Sequence, residues 1–488
     1  MRKTKLLLTL RALSTRERTW WREYVYSDFV NKHAVLRALA DHILAYAPNF
    51  DADALDKRQV YTQLFGAGIP YDEYRFNNLV SDLYELLLGF LAYTMQDEQP
   101  AEGQLAAATA LLNRNLDAQA AGILARCRTL LDRRPDQTAN RQFLELRWWE
   151  AAELLDSRNA RRVAGEHLYR QAEANDIAFV LEKLRLGAAM LSRQGLAVLR
   201  SDERPRWLPE IRQWCLQEPF LSNLPTVQVY LAALVLLEHP DQESFSALTS
   251  ILDTHYALFS HEETFALYQY ALNYCIRCIN DGQPNAYQQA LHLYQTLLER
   301  NILLRQGRLS QWTYKNITTT GLRSGAYNWT EQFLLEYRDR LPPAERDNAF
   351  AYNMAALFFE KKDLSATLQT LQNVEFTDFT YHLGAKIIQL KSYYLLGESE
   401  ALYALLDATK QLLRRNRSLS VFGKTANLNF LQILRQAHLW KEREGHIASE
   451  KWRRQRLALI EKVSRLQPLA NKEWLIEQGL SDGMPAAG

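Results

Sequence analysis

Cys275-Ile-Arg-Cys278 is the tightest pair of potentially reactive side chains in the sequence. A CxxC pair can hold zinc, but a structural site takes four ligands, usually from a second close pair. Cys127 and Cys215 are isolated, and His292 has no companion. A thioredoxin-type redox pair needs CxxC at the start of a helix that follows a strand. Here the pair lies inside the helical run 268–279, and residues three apart share one helix face. Both cysteines are therefore expected to be buried, unpaired and free of metal, as small apolar residues. Asp253, His255, His261, Glu262 and Glu263 form the densest polar group. They straddle an expected loop at Phe259-Ser260, which reads as a solvated surface. The sequence has no HExxH, GxxxxGK[ST], GxGxxG or GxSxG. No catalytic set, metal site or cofactor motif emerges, and a non-catalytic protein is expected.

Binding chemistry has two candidates. Asn273, Asn316, Asn353 and Asn427 recur at similar depth in four of the last five first helices of the hairpins described below. Asparagine is a poor helix-interior residue, because its amide competes for backbone hydrogen bonds. Aligned on one face, such amides can both donate to and accept from an extended peptide. Arg323 lies near enough to line the same surface, as do Tyr314 and Tyr352. The plainer reading is that each amide satisfies a nearby carbonyl. Arginine supplies the second candidate. Arg414-Arg415-Asn-Arg417 ends one hairpin, and Lys451-Trp-Arg453-Arg454-Gln-Arg456 lies near the C-terminus. Arg453, Arg454 and Arg456 could hold phosphates, with Trp452 stacking a base. A solvated helix face is the plainer reading here.

These groups must be positioned by helices that recur. Phe359, Asp363, Leu368 and Leu371 are answered 35 residues later by Tyr394, Glu398, Tyr403 and Leu406. A fixed period of this size marks a solenoid of helical hairpins, each burying its apolar face against its neighbours. First helices are expected to start near 226, 262, 310, 346, 381 and 422, at spacings of 36, 48, 36, 35 and 41. Second helices are expected near 243, 284, 327, 364 and 398. Small residues in the first helix (Ala355, Ala356) and aromatic partners (Phe359, Tyr394) make these units resemble tetratricopeptide (TPR) repeats over roughly half the chain. Most of the tryptophan, glycine and terminal proline of the TPR consensus is absent, so the resemblance is to a TPR-like protein. The chain is also similar to uncharacterised bacterial helical-repeat proteins. The resemblance implies an open superhelix whose concave face, lined by the first helices, holds a partner.

The remaining chain divides as follows. Residues 1–97 read as a non-repetitive helical domain, with Ser14 and Glu17 forming a capping box and residues 76–91 the clearest amphipathic helix. A polar break is expected at 97–103. Irregular helical hairpins fill 104–225, where Pro205, Pro209, Pro219 and Pro225 imply turns. The solenoid proper spans 226–435. A basic capping helix at 436–466, with a stripe of Ile447, Leu457, Ile460, Val463 and Leu466, leads a C-terminal region to 480 and a flexible tail at 481–488.

Composition bounds the function. Among 488 residues there are 58 Lys or Arg against 56 Asp or Glu, a net charge of +2. That balance gives no global attraction to nucleic acid or anionic membrane. Four cysteines suit a reducing compartment, and no apolar run approaches the ~20 residues of a membrane span. The apolar start after Met1 is broken by Thr9 and Arg11 without a cleavage site, unlike a secretion signal. The sequence thus predicts an all-α cytoplasmic scaffold that binds a protein or extended peptide, without membrane or cofactor. A nucleic-acid-linked regulator and an α/α-toroid enzyme are the alternatives.

Overall fold

The computed structural model describes residues 1, 4–50, 53–98, 100–158, 166–194, 206–283, 285–372, 378–417, 419–442 and 449–479. Among these the protein is helical with no strand. Two compact units are distinguished. The first holds residues up to Leu234 together with His255–Ser260, and the second holds Val235–Thr254 and the chain from His261 onward.

In the first unit, Thr4 caps α1 (Lys5–Ala12). Ser14 accepts from the Glu17 amide while the Glu17 carboxylate accepts from the Ser14 amide, starting α2 (Thr15–Tyr26) as expected. Next come α3 (Ala34–Leu44), α4 (Lys57–Phe65) and α5 (Glu73–Glu98). Their apolar faces meet around Trp21, Leu39, Ile43, Val60, Phe76 and Leu83. Leu6, Leu7 and Leu10 join this cluster. The apolar start of the chain is therefore a core helix, which the reading by period left out.

The break expected at 97–103 shrinks, because α6 (Pro100–Leu112) begins almost where α5 ends. Proline is preorganised for the first helical position. With α7 (Asp117–Asp132) and α8 (Ala139–Arg158), α6 closes a second cluster around Leu105, Leu124, Cys127 and Leu144. Then follow α9 (Glu166–Gln194), α10 (Leu208–Gln217), α11 (Pro219–Ser222) and α12 (Pro225–Glu238), within which the two units divide. Pro209, Pro219 and Pro225 open helices rather than breaking them. Pro205 lies outside the described residues.

The second unit continues with α13 (Gln242–His255), α14 (His261–Asn280), α15 (Asn285–Glu299), α16 (Gln311–Arg323) and α17 (Tyr327–Tyr337). After these come α18 (Arg346–Glu360), α19 (Leu364–Gln372), α20 (Phe379–Leu396), α21 (Ser399–Arg415) and α22 (Val421–Glu442). All eleven helix starts read from the sequence, from 226 to 422, fall within two residues of these. From α14 to α22 each helix packs on its successor, and α16 also meets α18, as α18 meets α20. Close approach is licensed by glycine. A Cβ at Gly321 would stand 2.2 Å from Thr330 Oγ1, and one at Gly384 would stand 2.7 Å from the Tyr352 ring. Phe359 and Tyr394, expected in equivalent packed positions, are both buried in one apolar cluster.

The C-terminus differs from its expected form. The 436–466 helix is not one element: 436–442 complete α22, and α23 (Ser449–Arg465) is separate. The physical reason is the unbroken apolar face of α22, in which Phe430, Ile433, Leu434, Ala437 and Trp440 are buried. Of the expected stripe on α23, Val463 is buried in the same cluster as Phe359 and Tyr394, and Ile460 and Leu466 pack against it; Leu457 is 65% exposed, and Leu459 is buried instead. Trp474 of α24 (Lys472–Trp474) and Leu475 join that cluster. Ile447 and the expected tail at 481–488 lie outside the described residues.

Candidate functional site

The CxxC pair lies inside a helix, turned away from solvent. Cys275 and Cys278 are free and buried in α14, and burial pushes the Cys275 thiol up to about 12. A thiol held neutral is neither nucleophile nor ligand at ordinary pH. Among the described residues no three His, Cys, Asp or Glu side chains are grouped to hold a metal ion. In the acidic and histidine group, Asp253 is committed elsewhere. It accepts from the Tyr268 hydroxyl at 3.0 Å and pairs with Arg300 at 3.1 Å.

One arrangement imitates a hydrolase. Ser399 Oγ lies 2.8 Å from His438 Nε2, and Glu442 is close by. In a catalytic relay the carboxylate holds the other ring nitrogen, so that the base faces the serine. Here Glu442 Oε1 is 3.5 Å from the same Nε2, while the buried Nδ1 has no hydrogen-bond partner. Burial also lowers the His438 pKa, against the pull of Glu442. The group ties α21 to α22 and has no geometry for proton relay.

The four asparagines diverge. Asn353 is buried, and its amide donates 2.7 Å back to Ala349 O in its own helix. Its expected place on an open face is therefore corrected: an Asn in a helix interior satisfies itself on the preceding turn. Asn427 is half-buried and does the same with Gly423 O at 2.8 Å. Asn273 is half-buried and accepts from Gln269 at 3.0 Å. Asn316 and Arg323 are exposed. Tyr314 is an interior residue, fully buried with its hydroxyl on Leu334 O at 2.7 Å.

The basic trio separates too. Arg454 is exposed and pairs with Glu450 at 2.5 Å. Arg456, expected in solvent, is buried with its guanidinium 5.7 Å from the Trp440 ring centre. The cause is helical phase. Arg456, Leu459 and Val463 fall three and four residues apart, so the arginine shares the inward face. The side chain of Arg453 lies outside those described.

What the second unit does assemble is a pocket of about 120 Å³ lined from three successive first helices. α16 gives Thr319, Leu322 and Arg323, α18 gives Ala356, Phe359 and Glu360, and α20 gives Ile388 and Lys391. Each set recurs three or four residues apart, the spacing that puts side chains on one helix face. Lys391 is 9% exposed and donates 2.7 Å to Asn471 Oδ1, with its ammonium 5.1 Å from the Trp474 ring centre. Burial brings its pKa down to about 8; Arg323 adds to this, and Glu360 opposes it. A lysine so placed switches charge near neutral pH, as no exposed lysine does. Of the pocket's polar residues the sequence reading named only Arg323. The overlooked signal was a lysine inside the apolar run Ile387-Ile388-Gln389-Leu390-Lys391-Ser392-Tyr393-Tyr394. Searches of protein-family models, curated proteins and solved structures find no match to this chain.

Proposed function

We propose that the protein is a non-catalytic cytoplasmic scaffold that holds a protein or extended peptide along the first helices of a TPR-like solenoid. The observation that carries this reading is the pocket lined jointly by α16, α18 and α20. A surface shared by successive first helices is what an extended ligand needs, because it presents a repeating set of contacts at the pitch of the repeats. The exposed side chains of Asn316 and Arg323 and the accessible part of Asn273 supply polar contacts on α14 and α16. Asn353 is withdrawn from that set, since its amide is already satisfied.

The test is capture of partners from the native host by the full chain. A variant combining Asn273→Ala, Asn316→Ala and Arg323→Ala should keep its helical circular dichroism and lose the captured partner. Each amide contributes on the order of 1 kcal/mol net, so the combination is more informative than any single change. A folded variant that retains every wild-type partner removes the reading.

A further inference from the structure

The pocket between α16, α18 and α20 has a charge pattern that narrows its ligand. Its wall is apolar, from Leu322, Ala356, Phe359 and Ile388. Three charged residues border it, one from each helix: Arg323, Glu360 and Lys391. A simple carboxylate would meet two cations but also the Glu360 carboxylate. A simple amine would meet Glu360 but also Arg323 and Lys391. Only a ligand with both charges on neighbouring atoms uses all three. A closed cavity of about 150 Å³ takes a benzene-sized molecule, so an open pocket of about 120 Å³ has room for a few branched carbons.

We propose that this pocket binds a free α-amino acid with a short branched aliphatic side chain. Its carboxylate lies at Arg323 and Lys391, its ammonium at Glu360, and its side chain on the apolar wall. This goes beyond the peptide-scaffold reading and does not rest on it. The site has its own signature. The charged groups acting on Lys391 are Arg323 from α16 and Glu360 from α18, while the C-terminal segment meets it with the uncharged Asn471 and Trp474. Since Lys391 titrates at about 8, a carboxylate placed beside it draws a fraction of a proton onto the amine near that pH. Affinity therefore falls as pH rises through this range.

Isothermal titration of the full chain with L-leucine and L-valine tests the proposal. At least one should bind, and 4-methylpentanoate and 3-methylbutylamine, which each lack one charge, should bind about tenfold or more weaker. The binding enthalpy at pH 8 should depend on the ionisation heat of the buffer, reporting proton uptake, and Lys391→Met should abolish that dependence. Glu360→Gln should remove the preference for leucine over 4-methylpentanoate. Arg323→Met should remove much of the preference over the amine. Circular dichroism of each variant checks folding, and the ligand comparison on the unaltered chain does not depend on any variant. N-acetylleucine binding as tightly as leucine would mean that the site takes the end of a chain, and would overturn the proposal. Absence of binding at about 10 mM leucine and valine, or equal binding of 4-methylpentanoate, would do the same. Loss of this proposal leaves partner capture untouched, so the two readings fail separately.

Discussion

The helices up to Glu98 and the hairpins from α14 onward bury polar groups very differently. In the first region the cluster from Leu6 to Phe90 closes over apolar side chains, and Asn31 is the one buried polar side chain among the described residues. The later region buries Thr318, Thr320, Thr330, Asn353, Thr367, Ser392 and Thr409, as well as Lys391 and His438. Most of these are self-contained. Thr318, Thr330, Thr367, Ser392 and Thr409 each donate to the carbonyl four residues earlier, at 2.7–2.9 Å. A hydroxyl satisfied within its own helix adds little bulk at a contact and demands nothing of the neighbour. Lys391 is unlike them, since its hydrogen bond crosses to Asn471. His438 also bonds across helices, to Ser399, but it lies outside the pocket that Lys391 lines.

Substitutions can break or sharpen that contrast. The largest effect is expected at the packed aromatic that serves both core and pocket. Phe359→Ala should cost about 3–5 kcal/mol in denaturant unfolding, and Trp21→Ala in the first cluster should cost a similar amount. A loss below about 1 kcal/mol at Phe359 would mean that the pocket wall is not part of the core.

Lys391→Met should do the reverse and stabilise the chain below pH 8. The folded state holds Lys391 at about 8, below its ordinary 10.5, so between these values the unfolded chain binds the extra proton. Stability from this group therefore rises with pH across that window and is missing below it. The variant should gain at most about 3 kcal/mol at pH 7, with the gain fading towards pH 10. A gain that does not change with pH would assign the effect to packing alone.

Gly384→Ala should cost about 1–3 kcal/mol, because the added methyl meets the Tyr352 ring, which burial holds against Tyr381. Thr409→Val should be the mildest, within about 1 kcal/mol either way, because the hydroxyl it removes bonds only its own helix. A cost above about 2 kcal/mol there would show that these threonines do more than fill space.

Some of this architecture was legible from residue order and some was not. The capping pair Ser14 and Glu17, the helix starts from 226 to 422 and the burial of Phe359 and Tyr394 all rest on local periodicity, which one chain displays by itself. The apolar spacing located these helix starts because side chains three and four residues apart share one face of a helix. Helical phase was less secure where the pattern was partial. On α23 the stripe held at Ile460, Val463 and Leu466, but it was also read through Leu457, which is exposed, and it missed Arg456 and Leu459, which are buried. An arginine on that face is disguised, since its long aliphatic stem packs as an apolar group would.

The candidate site divides in the same way. Sequence alone determined that the chain is helical and where its helices start from 226 to 422, because these follow from spacing along one chain. Only the tertiary structure decided that Asn353 is spent on its own helix, that Arg323, Glu360 and Lys391 border one pocket, and that Lys391 is held near its titration point. The last two properties come from groups 31 to 80 residues apart, and a side chain's burial and charge depend on what other helices bring against it.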